Sequence, residues 1–163
     1  MTRDDRMNPL HIVGWQCDRC GQLITAIDGG RFEWLASEGD NGDEVLSGLQ
    51  LVHCEPHQQA DRERPCRYDP HKEFGNNKTI VEGFPLERFV GPDGLMVLLS
   101  FLAAGELPQA EILEFIKRVQ IPGYELARNL RRGEIDSEST PFLGHGYYLQ
   151  SEIAEMIEWA LKR

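Results

Sequence analysis

The sequence predicts an α+β protein: a small antiparallel β module in residues 1–78, then an α-helical module in residues 79–163 built as a bundle of about four helices. Three observations carry this expectation. Short β-favouring runs separated by Gly and Asp fill the first third of the chain. Apolar residues recur at helical spacing through the second half. Between them, residues 56–79 are charged and broken by Pro56, Pro65 and Pro70, with Gly75-Asn76-Asn77 near the end, the composition of a linker.

The elements follow in order. Residues 1–11 read as a lead-in. Ile12–Trp15 is a short apolar stretch, suited to a strand, that delivers the chain to Cys17. Gln22–Ile27 and Arg31–Leu35 read as strands flanking Asp28-Gly29-Gly30, a combination that accepts the positive φ angles of a tight hairpin. Ser37–Asp43 is polar and contains glycine, hence a loop, and Gly48–His53 alternates as a further strand.

In the second half, Asp93 follows Pro92 and is placed to cap a helix running to Ala104. Leu95, Met96, Val97, Leu98, Leu99, Phe101 and Leu102 give that helix apolar side chains on nearly every face, which predicts a central, buried position. Pro108 opens the next helix, with Ile112, Phe115, Ile116 and Val119 on one side. Pro122-Gly123 interrupts, and Tyr124–Arg132 resumes up to Gly133. After a loop at Ser137–Gly146, Ser151 is placed to cap a last helix whose stripe is Ile153, Met156, Ile157, Ala160 and Leu161. Glu152 and Glu155 near its start and Lys162 and Arg163 at its end match the helix dipole.

The chemistry-bearing signal is the cysteine pattern. Cys17-Asp18-Arg19-Cys20 and Cys54-Glu55-Pro56-His57 each leave two residues between potential ligands. That spacing lets a tight knuckle aim both side chains at one ion, and two knuckles complete a tetrahedron. Gly21 directly after Cys20 suits a knuckle that closes through a positive-φ residue. This pattern predicts one structural Zn²⁺ held by Cys17, Cys20, Cys54 and His57. Residues 15–58 resemble the zinc-ribbon and treble-clef class of knuckle proteins, with His57 in place of a fourth cysteine and a long gap between the knuckles.

His53 and Cys66 compete for the second knuckle. His53 lies beside Cys54 on the presumed strand, where neighbours point to opposite faces, which favours Cys54 with His57. Cys66 sits directly after Pro65 among Arg62, Glu63, Arg64 and Arg67, and is expected to stay outside the site.

Other motifs carry less. A dithiol reading of Cys17 and Cys20 wants a helix after the second cysteine, whereas Gly21 and Leu23-Ile24-Thr25 follow. His71-Lys72-Glu73 matches the His-x-Glu of zinc deaminases, but the Cys-x-x-Cys comes first and lacks its proline. A knuckle nuclease built from His57, His71 and Asn76 or Asn77 lacks an ordering pattern. His145 between Gly144 and Gly146 suits a loop against the last helix, and His11 carries no signal.

Residues 108–134 loosely resemble a helix-turn-helix, with Lys117, Arg118, Arg128, Arg131 and Arg132 as candidate contacts. Gln120 stands where the turn usually has glycine, and bulky Ile116 where helices cross closely, so an ordinary helical pair is the better reading.

Composition bounds the function. A net charge of −10 repels phosphate and disfavours nucleic acid over the surface as a whole. The charged start at Met1–Asn8 lacks a signal-peptide pattern, and the apolar run at Leu95–Ala104 falls short of the roughly 20 residues of a membrane span. The expectation is a cytoplasmic protein, non-enzymatic, stabilised by zinc, that binds another protein or serves in regulation. A DNA-binding regulator is the first alternative, and a zinc-dependent or redox enzyme the second.

Overall fold

The computed structural model describes residues 14–55, 65–130, 143–144 and 146–163. The fold is α+β, as the sequence predicts, with antiparallel sheets in the first half and helices after them. The chain divides into two compact units, Gly14–Gln120 and one that takes in Ile121–Arg163. The boundary expected at residue 78 falls inside the first.

In that first unit, β1 (Trp15–Gln16) and β2 (Leu23–Ile24) form a two-stranded ribbon, with Trp15 opposite Ile24 and Gln16 opposite Leu23. β3 (Gly30–Glu38) is the middle strand of a second sheet, between β4 (Glu44–His53) and β5 (Ile80–Pro85), antiparallel to both. The hairpin expected around Asp28-Gly29-Gly30 is not there. Ile24 pairs backwards to Trp15, and Ile27–Gly29 is a 3-10 turn. The hairpin is β3–β4 instead, closed by the stretch expected to be a loop: Gly39 N–H donates to Asp43 O at 2.7 Å, and Gly42 adopts φ 80°.

Two elements fall in or beside the stretch expected to be a linker. α1 (Pro70–Asn77) starts with proline, where no N–H is needed. Asp69 caps it, accepting from His71 and Lys72 N–H at 3.0 and 3.2 Å. β5 ends in Pro85 and survives as an edge strand, where a missing donor costs little. Gly83 lets β5 approach β3: a Cβ there would stand 2.1 Å from Phe32 O.

α2 (Gly91–Ala104) and α3 (Gln109–Gln120) cover one face of this sheet. Phe32 packs edge-on against Phe89 and Phe115, with centroids 4.5 and 4.4 Å away, and Leu98, Ile112 and Val119 complete the layer. The expectation of α2 as a central, buried helix is corrected. Only Gly94 and Leu98 are buried, whereas Met96 is 68 % exposed. Its N-cap position is Val90, and Asp93 lies within the first turn.

In the second unit, α4 (Tyr124–Leu130) and α5 (Gln150–Leu161) pack through Tyr124, Ala127, Ile153, Met156 and Ile157. α5 begins one residue before Ser151. Leu149 takes the N-cap position, and its N–H donates to the Glu152 carboxylate at 2.6 Å. No helix of the described residues is long and apolar enough to cross a membrane.

Candidate metal centre

The centre is built on the turn that joins β1 to β2. Cys17 N–H donates to Gln22 O at 2.9 Å and Gly21 N–H to Cys17 O at 3.0 Å, with Gly21 at φ 74° as the spacing predicts. Asp18 in the same turn ties it to β4: its N–H donates to Leu51 O at 2.8 Å, and its Oδ2 accepts Leu51 N–H at 2.7 Å. Residue 53, two further along β4, shares the side of Leu51. His53 is thereby carried to the knuckle.

Cys66 arrives from the segment before α1. Glu33, fully buried on β3, holds that segment by accepting from Arg67 Nε at 2.6 Å and Tyr68 N–H at 3.0 Å.

The ligand atoms of Cys17, Cys20, His53 and Cys66 lie within 4.8 Å of one another. His53 Nδ1 is 3.5 Å from Cys20 Sγ and 3.8 Å from Cys66 Sγ. With metal–sulfur bonds of about 2.3 Å and metal–nitrogen bonds of about 2.0–2.1 Å, tetrahedral geometry places sulfur and nitrogen about 3.5–3.6 Å apart. The four side chains therefore have nearly the spacing of a closed centre and can hold a metal ion.

The second nitrogen of His53 supports this. Nε2 lies 3.3 Å from Leu23 O, and a carbonyl can only accept, so Nε2 bears the proton. Nδ1 then turns its lone pair towards the sulfurs, the orientation a metal-bound imidazole needs. Burial, reinforced by the neighbouring Cys17 and by hydrogen bonds with Cys20 and Cys17, pushes the Cys66 thiol up to about 12. At neutral pH it keeps its proton until a cation displaces it.

Of the residues expected as ligands, Cys17 and Cys20 are in the cluster. Cys54 is outside it: its thiol donates to Gly30 O at 3.1 Å, and burial raises its pKa. His57, like His11 and His145, lies outside the described residues. Among the described residues, His53 and Cys66 complete the cluster with Cys17 and Cys20. His53 ends β4 and Cys54 lies just past it, and the two side chains take different partners. What the sequence lacks is which face of β4 meets the knuckle. Cys66 has no spacing signal, because tertiary pairing through Glu33 brings it in.

The remaining candidates do not gather. Neither His71 nor Glu73, both on α1, joins the cluster. β2, not a helix, follows the Cys17–Cys20 turn. Among the basic residues of the helix-turn-helix reading, Arg118 is 1 % exposed. It donates to both Asp18 carboxylate oxygens at 3.0 Å and to Gln16 O at 2.8 Å. Lys117 pairs with Glu114 at 2.7 Å and Arg128 with Glu125 at 3.6 Å, and Arg131 and Arg132 lie outside the described residues. No family model matches the chain, and neither characterised proteins nor solved structures give a match to it.

Proposed function

We propose that the chain is a non-enzymatic module stapled by one structural Zn²⁺ bound to Cys17, Cys20, His53 and Cys66, and that it works by binding another protein. The observation that carries this reading is the convergence of three thiols and one correctly oriented imidazole within 4.8 Å. Thiolate and imidazole donors in a tetrahedral set suit zinc. Four protein ligands leave no position for water or substrate, which favours a structural over a catalytic ion.

The fold also has use for a staple. β1 and β2 contribute two residues each, too few for a ribbon to stand alone. Structural zinc contributes on the order of 10 kcal/mol in small modules, comparable with the stability of a whole domain. A protein partner is favoured over nucleic acid by the net charge of −10 and by the internal ion pairs of Lys117, Arg118 and Arg128.

Elemental analysis tests the metal. Protein purified without chelator should carry about one zinc per chain. Cys66→Ser and His53→Ala should lose most of it, whereas Cys54→Ser and His57→Ala should retain it. Absence of zinc sinks the reading, and the reverse pattern among the four variants restores Cys54 and His57 as ligands. For the nucleic-acid alternative, a mixed-sequence duplex is titrated at two salt concentrations. A complex that weakens steeply with salt would favour it.

A further inference from the structure

Away from the metal centre, a cavity of about 500 Å³ opens between the sheet and α2. Trp34 of β3, 4 % exposed, is part of its lining. Phe84 of β5 and Phe101 of α2 flank it, with ring centroids 5.8 and 5.7 Å from that of Trp34 and planes inclined by 58° and 76°. Three carboxylates also line the cavity: Glu44 of β4, Glu82 of β5 and Glu106, which follows α2. Glu82 is held in place, because its Oε2 accepts Trp34 Nε1–H at 3.0 Å.

The charge of this cavity is unbalanced. Among the described residues, Arg31 contributes the one cation of its lining, against three carboxylates. Its Nη2 donates to Gly83 O at 2.9 Å, and its Nε, which makes no hydrogen bond, lies 3.4 Å from the buried Glu33 carboxylate that also pairs with Arg67. Among the described residues, no cation pairs with Glu44, Glu82 or Glu106.

We propose that this cavity binds a small organic ammonium ion, its charged head between the rings and the carboxylates and its apolar body against Leu46 and Leu107. Aromatic faces attract a cation through their quadrupole, and Trp does so most strongly. Donation from the indole N–H to Glu82 raises the electron density of the ring and strengthens that attraction. Small-ligand sites enclose about 300–1,000 Å³, so the volume suits a molecule of this class and not a folded partner. Unpaired carboxylates select against an anion, and a neutral molecule gains hydrogen bonds from them but no charge–charge attraction. This inference stands whether or not the knuckle holds zinc.

The test uses the whole protein and three probes of one skeleton: phenylpropylamine, protonated at neutral pH, phenylpropanol and phenylpropionate. The indole N–H resonance of Trp34 reports occupancy. The amine should give a saturable shift, the alcohol should bind about tenfold more weakly, and the carboxylate should not bind. Glu44→Gln and Glu106→Gln, both exposed in the fold, should each reduce the preference for amine over alcohol by about fivefold. Phe84→Leu keeps the apolar wall and should also reduce that preference. Equal binding of amine and alcohol, binding of the carboxylate, or no saturable shift at Trp34 overturns the proposal. An unchanged preference in the two Gln variants overturns it as well.

Discussion

Replacing Arg118 by Met probes the junction between the knuckle and the helical layer. The substitution roughly keeps the side-chain volume but deletes the cation. The hydrogen bonds lost with it include two to the Asp18 carboxylate at 3.0 Å and one to Gln16 O at 2.8 Å. Removing one partner of a buried ion pair costs about 3–5 kcal/mol, mostly because the other charge loses its counter-ion. The Asp18 side chain is 25 % exposed, so water recovers part of that loss and the lower end, about 3 kcal/mol, is expected. Arg118 also lies 5.1 Å over the Phe115 ring, a contact the Met thioether partly replaces. In a unit of this size the midpoint of thermal unfolding should fall by roughly 10–20 °C. The assay is thermal and urea unfolding of zinc-loaded protein, completed as a double-mutant cycle with Asp18→Asn. The amide of that second variant removes the charge that Arg118 balances, and its oxygen can still accept from Leu51 N–H. The double variant should therefore lose about 1–3 kcal/mol less than the sum of the single variants. A loss below about 1 kcal/mol for Arg118→Met, or additivity within about 0.5 kcal/mol, refutes the clamp.

Further outcomes follow from the same geometry. Zinc should displace a full proton from Cys66 at pH 7, because the thiol titrates near 12, so zinc affinity should fall as pH falls; calorimetry in two buffers of different ionisation enthalpy counts the protons, and no release contradicts the assignment. In metal-free protein the folded state holds that proton more tightly than a free thiol of pKa 9.0, so stability should decline as pH rises past 9.0, measured by urea unfolding across that range. Gly83→Ala should cost several kcal/mol, since its Cβ meets Phe32 O at 2.1 Å, whereas Gly75→Ala on α1 meets nothing within 4 Å and should stabilise by about 0.5–1 kcal/mol. Chelation should reduce hydrogen-exchange protection in β1, β2 and the end of β4 together with α3; an unchanged α3 would show that the Asp18–Arg118 link carries no coupling.

Local chemistry is legible in the sequence wherever one residue type decides the outcome. Gly21 reads as a positive-φ closure and has φ 74°. Pro108 and the Ile112, Phe115, Val119 stripe mark α3, which runs Gln109–Gln120 with those three residues buried. What stays hidden depends on partners distant in sequence. Gln22–Ile27 could pair forwards or backwards, and periodicity alone does not choose. β5 carries glycine and a terminal proline, poor strand residues that only an edge position tolerates. α2 has the composition of a central helix, yet the unit supplies one sheet face and one neighbouring helix to cover it, so Met96 and Leu99 stay exposed.

The ligand set is hidden for a related reason, and it points to how the knuckle and the helices depend on each other. Asp18 sits between the first two cysteines, and it receives both Leu51 of β4 and Arg118 of α3. The first contact sets which face of β4 meets the knuckle and so brings His53 forward. The second fastens the same turn to the helical layer, through a side chain 2 % exposed. A knuckle held by metal alone would need no such tie, and a helix meant for solvent would not bury a guanidinium. The two contacts share one carboxylate, so loosening either should loosen both. Arg118→Met should accordingly weaken zinc binding as well as lower stability, although Arg118 is outside the ligand cluster. Losing a group that orients metal ligands typically reduces metal affinity by about 10–100-fold. Competition with a chromophoric chelator measures this. Unchanged affinity in a clearly destabilised Arg118→Met protein would show that knuckle and helix are fastened independently.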